Sequence, residues 1–206
     1  MIRIGIELNN VVRNINKQIL KYYQKDIDPM LDLDEVDEKD DPFKYAKFET
    51  LTDKNEFIYI DYPYEIYGTA KPMDKNLPAT LNKWLFELTN YEEDEVEVSF
   101  FSLNEDALTI QSTYFFLSKI GTRVRKVVFP KDFTEVENDY DVVVTGNKVL
   151  IDNYLSKNDN ITTVLITNTT VKEYEDNNDK VDLVYDSLES MINDDKFLSE
   201  IQKNKK

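Results

Sequence analysis

The sequence predicts an α/β protein with a parallel sheet, helices on both faces of the sheet, and an insertion after the first strand-helix unit. The chain opens on a short, β-branched apolar run, which is typical of a central parallel strand. From residue 95 onward, short apolar runs alternate with helical patterns at the spacing of βαβ units. Between these parts lies a segment of different composition, acidic at first and aromatic afterwards.

The first strand is predicted over "IRIGIEL", residues 2–8, and a helix follows it. Asn9 or Asn10 is expected to cap that helix, because a short amide side chain accepts from exposed backbone N–H groups. The apolar residues with helical spacing are Val11, Val12, Ile15, Ile19, Leu20 and Tyr23.

The insertion is predicted over residues 26–92, which leaves 1–25 and 93–206 as the core. Residues 26–50 carry a dense run of acids, but they lack the glycine and the terminal glutamate of a calcium loop, so a solvated segment is expected. Four tyrosines then lie close together in the chain: Tyr59, Tyr62, Tyr64 and Tyr67. We expect them to pack the insertion onto the core or onto a partner. A helix beginning near Pro78 ends the insertion.

The second half of the chain reads as strands and helices in alternation. The predicted strands are "EVEVSFF", "RVRKVVF", "DVVVTG", "ITTVLIT" and a short one in "KVDLVYD". The predicted helices lie in "NEDALTIQSTYFFLSKIG", "PKDFTEVENDY", "NKVLIDNYLSK" and "SLESMIND". Consecutive parallel strands joined by helices predict one sheet whose strand carboxyl ends lie along the same edge.

Composition excludes several classes of function. The formal net charge is -16, from 41 acidic and 25 basic residues, which disfavours specific binding to nucleic acid or to anionic membranes unless one local basic patch overrides the average. No cysteine or histidine is present, which excludes thiolate catalysis, Cys/His zinc sites and a Ser-His-Asp triad. We expect neither a membrane span nor a signal peptide, because no apolar run is long enough and the first residues lack the required pattern.

The order of these segments resembles the haloacid-dehalogenase-like (HAD-like) superfamily, in particular its phosphatase and 5'-nucleotidase members. "IGIELNNVV" corresponds to the first family motif, the segment 26–92 to the cap, and "VEVSFFS" to the second motif. Lys131 is the candidate for the third motif, and "DVVVTGNK" corresponds to the fourth. The resemblance implies a HAD-like Rossmannoid core with a cap insertion, and a site where Mg²⁺ assists phosphoryl transfer.

The resemblance also implies which groups the chemistry needs. The first motif supplies an aspartate nucleophile and a second aspartate that acts as acid and base, while acids of the fourth motif help to hold Mg²⁺. This chain has Glu7 and Asn9 in the first motif, and Thr145 and Gly146 in the fourth, whereas Ser102 of the second motif is retained. The longer Glu7 side chain displaces its carboxylate, and about 1 Å of misplacement costs on the order of 10²-fold in rate. We therefore predict degenerate catalytic positions, no bound metal and no cofactor.

Three functions remain open from the sequence. The first is a non-catalytic structural or protein-interaction protein, with other proteins as partners in a homo- or hetero-oligomeric assembly. The second is a Mg²⁺-dependent phosphatase or 5'-nucleotidase with an atypical site. The third is a module that binds a phosphate ligand through Ser102 and backbone amides. Glu7 and Asn9 also fit a purely structural role, in which they satisfy backbone donors at the turn.

The AT-rich style of the composition and the degenerate layout are similar to those of proteins from crAss-like bacteriophages of gut Bacteroidetes. This resemblance implies a virion component of the tail or neck, and hence a location in the virion. If the chain is not a virion component, we expect it in the cytoplasm.

Overall fold

The structure, a computed structural model, describes residues 1–37, 41–91, 96–153, 155–168 and 181–203. Its strands are β1 (Ile2–Glu7), β2 (Val96–Phe101), β3 (Val127–Val128), β4 (Val142–Thr145), β5 (Thr162–Ile166) and β6 (Leu183–Tyr185). They form one sheet in the order β3-β2-β1-β4-β5-β6, and every pair of neighbours is parallel. The predicted parallel α/β sheet is confirmed.

Strand β1 lies inside the sheet because its sequence is suited to burial on both faces. Ile4 and Ile6 are fully buried, and β1 pairs with β2 over six residues and with β4 over three. A central parallel strand has no solvated face, so β-branched residues are favoured along its whole length. The carboxyl ends of β1, β2 and β4 therefore meet at one edge of the sheet, as the sequence predicted.

The chain divides into two compact units, which are described separately. The first, the sheet unit, comprises residues 1–12, 73–104 and 122–206, and the second, the helical unit, comprises 13–72 and 105–121. This division differs from the predicted boundaries at 25/26 and 92/93, the second of which falls at residues outside the described part of the chain. Two helices that were predicted in the core, Ile15–Asp26 and Ala107–Ile120, pack against residues of the insertion and therefore belong to the helical unit.

The helices of the sheet unit are α3 (Leu77–Tyr91), α5 (Phe133–Asp139), α6 (Lys148–Asn153), α7 (Leu188–Ile192) and α8 (Phe197–Lys203), with a 3₁₀ turn at Leu155–Lys157. Helix α3 packs against β2 and α7, and α5 packs against β1. One buried cluster joins β2, β4 and β5 to α5, α6 and the 3₁₀ turn: Phe101, Val136, Tyr140, Val143, Leu150, Ile151, Leu155, Ile161 and Leu165. Among the described residues, no helix is long and apolar enough to cross a membrane.

The helical unit contains α1 (Ile15–Asp26), α2 (Leu51–Glu56) and α4 (Ala107–Ile120). It also contains a 3₁₀ turn at Pro42–Lys44 and two π-helical turns, Phe57–Asp61 and Tyr64–Gly68. Both α1 and α4 contact the π-helical turn at Tyr64–Gly68. The aromatic part of the insertion is thus the interior of this unit, where Tyr23, Phe48 and Phe57 form a cluster with ring centroids 5.2–6.4 Å apart.

Two sequence expectations about element ends were wrong. Helix α1 begins at Ile15 rather than near Val11, because Asn10 has a left-handed φ of 58° and the side chain of Asn14 caps the helix by accepting from the Lys17 N–H. The strand predicted in "RVRKVVF" is only Val127–Val128. It lies at the sheet edge beside β2, and its preceding basic residues are exposed.

The helical unit holds a buried ion pair between Arg13 and Glu105. The two side chains are fully buried and lie 2.5 Å apart, and the Arg13 guanidinium also donates to Thr113 Oγ1 at 2.6 Å and stacks on the Tyr67 ring at 4.9 Å. Thr113 in turn donates to Glu105 at 2.6 Å. A charge this deeply buried is tolerated only because each partner is hydrogen-bonded, and loss of one partner typically costs about 3–5 kcal/mol. The network therefore holds α4 and the π-helical turn in a fixed arrangement with Arg13.

Gly5 gives the first testable prediction, because the ring of Tyr140 occupies the space of its missing side chain. A Cβ added at Gly5 would lie 2.6–2.8 Å from three ring atoms of the buried Tyr140. We expect Gly5→Ala to lower the free energy of unfolding by about 1–3 kcal/mol, the usual cost of overpacking. Gly146→Ala is the matched control, since its nearest neighbour would be 3.4 Å away. Equal urea midpoints for the two variants would contradict this account.

Candidate functional site

The residues predicted from the first and fourth motifs lie together at the carboxyl edge of the sheet. Glu7 is the last residue of β1, and Thr145 is the last residue of the neighbouring β4. The Thr145 hydroxyl donates a hydrogen bond to Glu7 Oε2. The ends of β1 and β4 are therefore in direct side-chain contact.

The carboxyl group of Glu7 is enclosed by donors of the fourth motif. Besides the Thr145 hydroxyl, the backbone N–H of Gly146 donates to it. The Asn147 N–H donates to Thr145 Oγ1 at 2.9 Å, which fixes the direction of the threonine hydroxyl toward Glu7. Both Glu7 and Thr145 are buried, with Glu7 only 6% exposed. The carboxyl group is thus held by short-range hydrogen bonds and not by solvent.

Burial changes the acidity of Glu7. Desolvation raises its pKa from the ordinary value of 4.5 to about 7, and the hydrogen bonds from Thr145 and Gly146 oppose this rise only in part. No cationic side chain is among the causes that lower it. At neutral pH a substantial share of Glu7 is therefore a neutral carboxylic acid, which neither attacks phosphorus nor binds a cation.

The turn after β1 is closed by asparagines that the sequence analysis did not assign to the site. Asn10 and Asn168 have left-handed φ values of 58° and 53°, and Asn168 Nδ2 donates to the Asn10 carbonyl at 2.9 Å. A Cβ at Gly146 would lie 3.4 Å from that same carbonyl. Asparagine at a strand end is a recognisable signal, because it tolerates the left-handed region better than other non-glycine residues. The contact between Asn10 and Asn168, which are 158 residues apart, cannot be predicted from the sequence.

Ser102 and Lys131 have different positions relative to Glu7 and Thr145. Ser102 is fully buried directly after β2, and the register pairs Glu7 with Phe101, the residue before it. Lys131 is exposed and follows β3, with its N–H donating to Glu135 at 3.0 Å. Because β2 separates β3 from β1 and neighbouring strands are about 4.8 Å apart, β3 lies about 10 Å from β1. The sheet therefore does not bring Lys131 beside Glu7 through strand pairing.

The residues at this edge do not fit a Mg²⁺ site. Glu7 is the single carboxyl of the matched motif positions, and about half of it is neutral near pH 7. Thr145 and Gly146 supply donors, not the anionic oxygens that Mg²⁺ requires to lose its water. Within the described ranges, no three acidic side chains converge on a possible metal position. Metal-assisted phosphoryl transfer therefore has no ligand set here.

The four tyrosines predicted as an interaction surface have four different environments in the helical unit. Tyr67 is buried against Arg13, and its hydroxyl is hydrogen-bonded to half-buried Tyr59. The ring of Tyr62 packs on Tyr22 and Phe57, and its hydroxyl is hydrogen-bonded to Asp26. Tyr64 alone of the four is exposed, at 46%, and its ring lies 5.1 Å from that of Phe115 in α4.

Helix α4 extends the exposed aromatic surface that begins at Tyr64. Leu108, Tyr114 and Phe115 are 48%, 52% and 45% exposed. We name this surface the α4 face and define it as Leu108, Gln111, Tyr114, Phe115 and Ser118 of the helix, with Tyr64 beside them. From the sequence, only a helix was predicted here, and this exposed face was not recognised. The signal was present, since residues 107–118 contain no charged side chain.

A small basic cluster interrupts the acidic surface elsewhere in the sheet unit. Arg123, Arg125 and Lys126 line a cavity of about 270 Å³ at the amino end of β2. Lys126 is paired with Glu97 at 3.7 Å, and Arg123 stacks on Phe86 at 5.4 Å. The sequence predicted no specific binding of nucleic acid unless a local basic patch overrides the acidic average. That absence of binding stays a prediction.

Comparisons with known proteins identify the fold. No family model matches the chain, and no curated protein matches it. Among solved structures, the chain is similar to a haloacid dehalogenase-like hydrolase from Burkholderia xenovorans LB400. The TM-score is 0.52 and the identity 11%, with 98% of each chain covered. The HAD-like fold is therefore confirmed, while an identity this low carries no information about activity.

The raised pKa of Glu7 predicts that stability depends on pH. The folded state holds the proton more tightly than the unfolded state, so this contribution is fully present below pH 4.5 and is lost as pH rises through about 7. At about 1.4 kcal/mol for each pKa unit, the loss amounts to about 3 kcal/mol. Glu7→Gln resembles the neutral acid, so we expect its unfolding free energy to exceed that of the wild type by only about 1 kcal/mol at pH 5 and by about 3 kcal/mol at pH 8.5.

Urea denaturation at both pH values measures this difference. Glu49→Gln, at an exposed position, controls for the general effect of removing one negative charge. If the wild type and Glu7→Gln differ equally at pH 5 and pH 8.5, Glu7 does not carry the buried proton described above.

Proposed function

We propose that the chain is a non-catalytic protein-interaction protein built on a HAD-like core. The observation that carries the proposal is the state of Glu7. At the position where the family has its nucleophile, this chain has a buried carboxyl group held by Thr145 and Gly146. A HAD-like nucleophile must be ionised, accessible to phosphorus and next to Mg²⁺. Glu7 is buried, is only partly ionised at neutral pH and has no partner carboxylate at the matched positions.

The neighbouring motif positions support the same proposal. Asn9 has a carboxamide, which does not titrate, so the family's acid-base step has no group at this place. Lys131, the candidate for the third motif, follows a strand that is not adjacent to β1. Loss of the nucleophile, the acid-base group and the metal acids together removes each component of the family's chemistry, while the six-stranded parallel sheet is retained.

The α4 face supports the interaction part of the proposal. A solvent-facing helix surface normally carries charged residues, and 32% of this chain is charged. The α4 face carries none, and it exposes three aromatic rings and a leucine instead. Exposed apolar patches on otherwise polar proteins mark binding sites, and aromatic residues dominate the energetics of such interfaces. Within this proposal, the specific assembly that the composition suggests is a bacteriophage tail or neck.

The raised pKa of Glu7 favours one alternative, a hydrolase with an atypical site. A carboxyl group that titrates near pH 7 is suited to general acid-base catalysis, and perturbed groups of this kind concentrate in active sites. In this alternative Glu7 would act on a proton and not as a nucleophile. Retention of the fold does not separate the two functions, so activity must be measured.

The first experiment tests catalysis. We expect purified wild type with 10 mM Mg²⁺ and p-nitrophenyl phosphate to show no turnover above buffer. The triple variant Glu7→Asp, Asn9→Asp and Thr145→Asp shortens one carboxyl side chain and adds two carboxylates, and we expect it to gain a saturable Mg²⁺ site in calorimetry while turnover stays at background. Metal binding depends on charge and oxygen geometry, whereas turnover also needs a positioned lysine. Wild-type turnover that Glu7→Gln abolishes would contradict the proposal.

The second experiment tests partner binding. Tagged wild type, Glu7→Gln, Phe115→Lys and Phe86→Lys are compared in affinity capture from the source cells, with bound proteins identified by mass spectrometry. Phe86 is a matched control, because it is 51% exposed and lies on α3 of the sheet unit. We expect Phe115→Lys alone to lose its specific partners. If Glu7→Gln loses its specific partners while Phe115→Lys keeps them, the binding function depends on Glu7 and not on the α4 face.

A further inference from the structure

We infer that the cavity at the amino end of β2 binds a short acidic segment of a partner protein, which adds to the free edge of β2 as an extended strand. The cavity lies in the sheet unit, whereas the α4 face belongs to the helical unit, so the inference goes beyond the proposed function. Three features of the cavity carry the inference: an unpaired strand edge, a local positive charge and an apolar wall.

The outer edge of β2 is covered only in part by β3. Strand β2 pairs with β1 over six residues but with β3 over only two. The Phe100 N–H donates to the Lys126 carbonyl at 3.0 Å, and the backbone groups of Val96 and Val98 point to the same side, because direction alternates along a strand. Within the described ranges, no backbone hydrogen bond joins Val96 or Val98 to residues 122–125. This edge therefore offers N–H and C=O groups to another extended chain.

The opposite wall of the cavity, residues 123–126, concentrates positive charge in a chain of net charge -16. Arg123, Arg125 and Lys126 line the cavity together with a single acid, Glu97, so three cations and one anion leave a local charge of +2. Glu97 lies 3.7 Å from Lys126 and is used by it. No ion pair in the described part of the chain includes Arg123 or Arg125. Both guanidinium groups are thus open to the carboxylates of a ligand.

The cavity also has an apolar wall, which favours a peptide over a small inorganic anion. Leu85 and Leu88 of α3 line this wall. Arg123 is held in place, since its N–H donates to Asn82 Oδ1 at 2.7 Å and its guanidinium lies 5.4 Å from the Phe86 ring. A cation that is already positioned loses less freedom on binding. The matching occupant has carboxylates, an apolar side chain and an extended backbone with free N–H groups.

The size of the cavity and the charge around it limit the occupant to a short segment. The volume of about 270 Å³ is below the roughly 300 Å³ at which pockets for drug-sized ligands begin, so only a few residues enter. The Debye length at physiological ionic strength is about 8 Å, so a ligand in the cavity responds mainly to the nearby arginines. A nucleic-acid strand carries charge at every phosphate and would extend from the cluster into the repulsion of the acidic surface.

Fluorescence anisotropy of the full chain tests the charge requirement. The probe is the fluorescein-labelled peptide "GEVEVEVG", for which we expect saturable binding at submillimolar concentration. Arg125→Glu should weaken binding at least 10-fold, because it reverses a charge that no carboxylate neutralises, and Arg125→Lys should lose much less. Lys75→Glu is the matched control, since Lys75 is exposed in the sheet unit and does not line the cavity. Circular dichroism confirms that each variant is folded.

Hydrogen exchange measured by NMR tests the strand addition directly. An amide that becomes hydrogen-bonded to an added strand exchanges more slowly, so saturating peptide should slow the exchange of Val96 and Val98 at least 10-fold. Phe100 is an internal control, because its N–H is already bonded to Lys126. The peptide "GKVKVKVG" has the same valines with the opposite charge, and we expect it neither to bind nor to change these amides.

The remaining outcomes would overturn the inference. Binding that Arg125→Glu leaves intact removes the role of charge, and unchanged exchange at Val96 and Val98 removes strand addition. Displacement of the peptide by an equal concentration of a thymidine oligonucleotide would make nucleic acid the ligand. Four acids at residues 92–95 precede β2 in the sequence. If their replacement by amides raises affinity more than 10-fold, the chain's own acids are the occupant. None of these results affects Phe115-dependent capture, which tests the proposed function separately.

Discussion

The burial of one carboxyl group at the end of the central strand is the constraint on which the candidate site depends. Glu7 stands where β1 leaves the sheet, and its environment supplies a hydroxyl and a backbone N–H but no compensating cation. A carboxylate in such a place is expensive, so the proton is retained up to about pH 7. The direction of the Thr145 hydroxyl is set in turn by the Asn147 N–H, which donates to Thr145 Oγ1. The carboxyl edge of the sheet at β1 and β4 thus encloses a carboxyl group that titrates near pH 7.

The helical unit manages its buried charge in the opposite way. Arg13 and Glu105 remain in contact, with Thr113 bonded to both and aromatic rings around the guanidinium. A network of this kind adds little net stability compared with an apolar core, but its geometry is specific, since any other arrangement leaves a charge without a partner. It fixes α4 against the turn that contains Tyr67. The outward side of α4 is consequently presented as a firm apolar surface in a chain whose remaining surface is strongly acidic.

These two features support one functional account. In the proposed account, an enclosed and partly neutral Glu7 does not serve phosphoryl transfer, and the uncharged aromatic α4 face offers exposed contact area. Scaffolds retained without their catalysis take their function from such surfaces, because fold and function are separable. The net negative charge of the chain would then contribute selectivity between partners, because it repels anionic proteins. Electrostatic repulsion is weaker at the uncharged α4 face.

The sequence by itself predicted the parallel α/β class and a common sheet edge for the strand ends that carry Glu7 and Thr145. These follow from β-branched runs, from helical spacing between them and from the rule that parallel strands end on one edge. Local rules also placed the ends of α4, where Asp106 and Gly121 act as caps. Tertiary structure alone decided the rest. Tyr59, Tyr62, Tyr64 and Tyr67 have similar sequence surroundings, yet only Tyr64 is exposed, because burial depends on contacts with Arg13, Tyr22 and Phe57 from distant segments. The pKa of Glu7 likewise depends on desolvation by the folded chain, which no pattern of residues along the sequence specifies.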